Sequence, residues 1–171
     1  MKSIKLVILL LASISIASAL NPKPARITTK IYSTTAVPVY LGTISASNTK
    51  AGLLLMPDIR ANRILKPGAH GFHLHLNQSC GDGGAAAGGH YDPHNTKSHK
   101  GPYGNGHLGD LPVLYANADG SITHQVIAPH LKLSDIKMHA LMLHANGDNY
   151  SDNPLPNGGG GGRVACGVVQ E

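Results

Sequence analysis

The sequence predicts an all-β chain, an antiparallel β-sandwich or flattened eight-stranded barrel with two long functional loops. Three observations carry this. Short runs rich in Val, Ile, Leu, Thr and Tyr recur along the chain, Pro, Gly, Asn and Asp punctuate them, and no long stretch has helical periodicity. Its 171 residues suit one domain with a real core. The 21 glycines call for many turns.

In order, the candidate strands are 27–32, 39–47, 52–57, 71–76, 111–116, 121–127, 140–144 and 164–169. Asp119-Gly120, between the fifth and sixth runs, signals a hairpin. The only helical hint, 134–137, is too short to matter. Two stretches break the pattern. Residues 77–110 hold nine glycines and no strand signal, and residues 145–162 hold six glycines and two prolines. Loops of this length inside a compact domain are uncommon unless functional, and something other than ladder hydrogen bonds must pin them.

Residues 1–19 read as a secretory signal. Lys2 and Lys5 precede a mostly apolar run over 6–16, and Ala17-Ser18-Ala19 is a small-residue cleavage site. An uncleaved membrane anchor is the alternative, although the apolar run is short for a span. The mature domain is then 20–171, with no later segment suited to membrane association. Without Lys2 and Lys5 the formal net charge falls from +5 to +3. The remaining basic residues form no run or stripe, so nucleic acid is not an expected partner. A mild positive field suits a small anionic substrate. In an oxidising compartment the two cysteines, Cys80 and Cys166, are expected to pair. Their bridge would contribute about 4 kcal/mol in the chain-entropy account. Two free buried thiols are the alternative.

Eleven histidines carry the functional signal. In 71–76, strand alternation turns Phe72, Leu74 and Leu76 to the core and His73 and His75 together to the other face, where two imidazoles can reach one metal. His90, His99, His107 and Asp110 follow within the first Gly-rich stretch. Three imidazoles and a carboxylate make a closed tetrahedral zinc site of structural type. A polar His-rich surface loop is the plain alternative. His144 ends an apolar run in which Leu141 and Leu143 can face the core, turning His144 the same way as His73 and His75.

The segments GFHLHLNQSC (71–80), GGHYDP (88–93), GHLGDLP (106–112), LMLHANGDNYSD (141–152) and GGRVACGVV (161–169) together resemble copper/zinc superoxide dismutase, most closely its bacterial periplasmic branch. The resemblance spans essentially the whole mature chain. It implies a Greek-key sandwich, periplasmic localisation, copper and zinc as cofactors and superoxide anion as substrate, and it leaves a homodimer open.

Residue by residue, the resemblance implies copper ligands at His73, His75, His90 and His144, and zinc ligands at His90, His99, His107 and Asp110. His90 would bridge both ions as imidazolate. Four nitrogens suit Cu(II), and a closed N₃O set suits zinc. Asp148 would fix one copper and one zinc histidine. Arg163 and His90 would be the catalytic residues, Arg163 holding superoxide beside copper and tethered there by the Cys80–Cys166 bridge. One departure is the short segment 81–87, whose only charge is Asp82. Related bacterial enzymes often have a longer, lysine-bearing segment there, so steering would rest mainly on Arg163 and the metals. His70 is expected to satisfy buried backbone groups. His94 could be an adventitious metal site, and His124, His130 and His139 are expected at the surface. A metal-buffering or copper-delivery protein on the same scaffold is the rival reading.

Overall fold

The computed structural model describes residues 25–171, so the expected signal at 1–19 and the first residues of the mature domain lie outside the described residues. Among the described residues nine strands form: β1 Arg26–Ser33, β2 Tyr40–Thr49, β3 Gly52–Ile59, β4 Gly68–His70, β5 Phe72–His75, β6 Leu114–Ala116, β7 Val126–Ala128, β8 Ala140–His144 and β9 Arg163–Val168. Seven join one curled antiparallel sheet in the order β5-β8-β9-β1-β2-β3-β7, and β4 pairs with β6 in a second sheet. Neighbours out of chain order, β5 beside β8 and β9 beside β1, are what Greek-key connections produce.

The period-2 pattern dictates the inner face. Along β3, Leu53, Leu55, Pro57 and Ile59 are buried and alternate with more exposed positions. Ile31, Leu41, Ile44, Phe72, Leu74, Leu141 and Leu143 join them in one apolar cluster. Each such side chain contributes about 1.5–3 kcal/mol when fully buried. A smaller cluster of Ala87, Ala140, Met142 and Cys166 lies on the other face of β8 and β9, with Cys80 packed against it. The Cys80–Cys166 disulfide is formed.

The structure corrects four expectations. Nine strands are described rather than eight, because β4 precedes β5 and pairs elsewhere. The Asp119-Gly120 turn closes, with the Asn117 N–H donating to Ser121 O at 2.9 Å, but β6 pairs with β4 and β7 with β3, so no hairpin ladder follows. The expected strand 121–127 is reduced to β7 and a single bridge from Ile122 to Ile59. Leu76 is 53% exposed, because β5 ends at His75 and the chain turns away before a third core position. Short 3-10 turns at Asp82–Ala87 and Pro156–Gly159 lie within the two long loops.

Candidate metal centre

The site is built on β5 and the loop that lies along its outer edge. Phe72 and Leu74 enter the core, and His73 and His75 are buried on the opposite face. Residues 89–91 and 109–111 run beside β5 as an irregular partner. The Tyr91 N–H donates to Leu74 O at 2.8 Å, the Leu74 N–H to Gly109 O at 2.9 Å and the Leu76 N–H to Gly89 O at 2.9 Å. A bare sheet edge would leave these groups unpaired. The pairing sets His90 opposite His75 and Asp110 opposite His73. Gly109 is required, since a Cβ there would run into Leu74 O and the Tyr91 backbone. On the other side β8 pairs with β5, and a bulge between Leu143 and His144 sets His144 opposite Arg163 of β9.

Among the described residues three sets of donor atoms lie within 4.8 Å: His73, His75, His90 and His144; His90, His99, His107 and Asp110; and His73, His99 and Asp148, whose contacts are hydrogen bonds. His90 belongs to the first two. Its ring centroid is 3.9 Å from that of His73 and 5.3 Å from those of His99 and His107. In the second set three Nδ1 atoms converge on one oxygen. Asp110 Oδ1 lies 2.9 Å from His90 Nδ1, 2.9 Å from His99 Nδ1 and 3.3 Å from His107 Nδ1. Donors about 2.0–2.1 Å from a tetrahedral ion stand roughly 3.3 Å apart, so the spacing fits zinc.

The nitrogens turned away from these centres are held. His73 Nε2–H donates to Asp148 Oδ2 at 2.7 Å, and His99 Nε2–H donates to Asp148 Oδ1 at 2.9 Å. His75 Nδ1–H donates to Gly88 O at 2.9 Å, and His144 Nδ1–H to Gly161 O at 3.1 Å. His75 Nε2 and His144 Nε2 therefore face each other, 3.4 Å apart. His73 Nδ1 and His99 Nδ1 are buried without a hydrogen-bond partner. His99 Nδ1 is close to Asp110 Oδ1 but lies off the angle a hydrogen bond needs. One buried nitrogen in each of the first two sets thus lacks a protein partner, and a bound cation would satisfy it.

Electrostatics favour the ligand forms of four histidines and of both carboxylates, and oppose that of His99. Burial pushes His73 down to about 3, His75 to about 2 and His144 to about 4, and it also lowers His90. Their lone pairs are thus free at neutral pH. Burial would lower His99 too, but Asp110 and Asp148, the carboxylates beside its two ring nitrogens, prevail and raise it to about 9. Burial opposes the ionised forms of Asp110 and Asp148, yet their histidine partners hold both well below the usual carboxylate range.

Arg163 lines a cleft of about 400 Å³ together with His75, His90, His144, Asn146 and Asn157. Its guanidinium donates to Gly84 O and Gly88 O, both on the loop that Cys80 and Cys166 tether. Of the other histidines, His70 sets its ring nitrogens against His144 O at 2.6 Å and Lys66 O at 2.8 Å, as expected. His124 and His130 are exposed. His139 is only half-exposed, donating from Nδ1 to Leu76 O at 2.7 Å and packing at a tilt against Tyr91.

Sequence reasoning missed Asp152 and Tyr150. Asp152 accepts the His99 N–H at 2.8 Å and the Asn157 N–H at 3.0 Å, clipping the second long loop to the first. Tyr150 packs against Gly101 and accepts the Val113 N–H at 3.1 Å. The only available signal was a carboxylate in an otherwise uncharged stretch.

Residues 41–169 match the family described as copper/zinc superoxide dismutase (SODC). The chain is 54% identical over 144 residues to a protein from Legionella pneumophila named superoxide dismutase [Cu-Zn], covering 84% of this chain and 86% of that one. The solved structure of Cu/Zn superoxide dismutase from Brucella abortus is similar, with a TM-score of 0.79 and 49% identity over 85% of this chain and 100% of that chain. The structure of the monomeric copper, zinc enzyme from Salmonella enterica is also similar, with a TM-score of 0.72 and 48% identity over 85% of this chain and 100% of that one.

Proposed function

Because this chain belongs to the copper/zinc superoxide dismutase family, we propose residue roles for its activity: His73, His75, His90 and His144 hold copper, His90, His99, His107 and Asp110 hold zinc, and Arg163 receives the substrate. The enzyme converts two superoxide anions and two protons to dioxygen and hydrogen peroxide, with copper and zinc as cofactors. The observation that carries the assignment is the membership of His90 in both the copper and the zinc donor sets. Storage of two ions needs no shared ring and no arginine beside one of them, which disfavours the buffering alternative.

Copper held by these four imidazoles would supply a one-electron carrier, able to take an electron from one superoxide and return it to another. The chain's residues do the rest. Arg163 presents its remaining N–H donors to the cleft and holds the anion by charge and hydrogen bonds. Its two carbonyl contacts fix the guanidinium. His90 Nδ1 faces Asp110 at 2.9 Å, and its Nε2, when not engaged by copper, would carry a proton from solvent to the product. Asp148 orients His73 and His99 together, so neither ring can rotate its donor nitrogen away.

The chain is exported by residues 1–19 and works in the periplasm, as the lysines, apolar run and small-residue cleavage site suggest. Among the described residues no helix is long and apolar enough to cross a membrane. We take the working form as a monomer, the state named for the Salmonella relative, over the homodimer that the sequence leaves open. Sedimentation of the purified protein at a one-chain mass supports this, and a two-chain mass overturns it.

The roles are tested by counting metals on purified protein alongside superoxide removal. The account expects one copper and one zinc per chain and turnover through many equivalents of superoxide. His144→Ala should lose copper-dependent turnover while retaining zinc. Full turnover in that variant would remove His144 from the site.

A further inference from the structure

The zinc ligands differ in their access to solvent. The side chains of His99 and Asp110 are fully buried, His90 is 4% exposed and His107 is 12% exposed. His90 opens to the Arg163 cleft, and His107 does not line it. His107 instead lines a second cleft of about 710 Å³, along with His94, His130, Lys132 and Asp135. The copper and zinc donor sets therefore open in different places.

The clefts differ in charge. Arg163 is the only full charge lining the first, which the copper set already occupies. In the second, one lysine and one aspartate balance, and two exposed imidazoles line the same cleft as His107. Neither His94 nor His130 belongs to a set of donors close enough to chelate an ion. Each offers a single imidazole nitrogen, one of the four ligands that a closed zinc site takes.

We propose that this second cleft is a separate entrance for zinc, in which His94 and His130 capture a divalent cation and pass it to His107. The inference rests on the zinc set proposed above. A capture site raises the local concentration of the ion at its destination and so speeds loading. By microscopic reversibility it speeds release equally and leaves affinity unchanged.

The test is zinc uptake by the metal-free full-length protein at buffered Zn²⁺, and zinc release from the holoenzyme to excess chelator. Both are compared between the wild type and His94→Gln/His130→Gln. Both positions are exposed, so the fold should tolerate the change. The expected result is that both rates fall together, by about fivefold or more, with zinc affinity within twofold of wild type. Unchanged rates overturn the proposal, as does a fall in affinity that accounts for the slower uptake. His107→Ala separates the two layers. If it leaves zinc affinity intact, the ligand set has failed, whereas unchanged rates in the double variant with His107 essential mean that only the entrance has failed.

Discussion

His99 stands between two carboxylates, Asp110 on its Nδ1 side and Asp148 on its Nε2 side, and together they raise it to about 9. Zinc must displace the Nδ1 proton, whereas the Nε2 proton can stay on its bond to Asp148. Below about pH 9, zinc affinity should therefore rise with pH, approaching tenfold per unit for one displaced proton. Titrations in buffers of differing ionisation enthalpy would read that proton; zinc binding without proton release at pH 7 would contradict the assignment. Asp148→Asn replaces one of the two oxygens holding His73 and His99 with a donor. It should cost 10- to 100-fold in zinc affinity, measured by chelator competition. Arg163→Ile should keep both metals and lower the superoxide rate, on the order of tenfold, while flattening its dependence on ionic strength. A variant with full rate would show that Arg163 does not guide substrate.

At the scale of elements, the two long loops are held by few contacts, each identifiable. The disulfide fastens the Asp82–Ala87 turn to β9, and the same turn region offers the carbonyls that hold Arg163. A Cys80→Ser/Cys166→Ser protein should lose about 4 kcal/mol of stability to denaturant and part of its rate, with metal content kept. Gly158 lies in the left-handed region at φ +74°, where a Cβ would collide with Asp148 Oδ1 and His99 Nε2. Gly158→Ala should therefore lower zinc content as well as thermal stability, and a variant with normal zinc would place this glycine outside the site's support. Much of this scaffold was legible in the residues. The alternation of Phe72-His73-Leu74-His75 announced a strand with two faces, and the strand's inner side fills the core as expected. The course of the loops was not legible, because backbone bonds along β5 set it, and these leave no side-chain pattern. Asp152 was illegible for a related reason. Its partners are the N–H groups of His99 and Asn157, far away in sequence or unmarked by residue type.

Across the whole molecule, the strand order explains why ligands far apart in the chain meet. β5 lies beside β8 and β8 beside β9, so His73, His144 and Arg163 become neighbours across one sheet face. The first long loop then covers that face and brings His90, His99, His107 and Asp110 to it, and the second closes over them through Asp148 and Asp152. The histidine spacing pointed to two ligand groups, the family resemblance joined them through His90, and the sheet's connections supply the reason for the grouping. The central claim is that the His90 ring joins both ions. Its most direct test is a crystal structure of the oxidised, metal-loaded protein, with anomalous scattering at the copper and zinc edges to identify each ion. The account predicts His90 Nδ1 on zinc and Nε2 on copper, each at about 2.0–2.1 Å. Two ions with His90 bound to only one of them, or to neither, would contradict it.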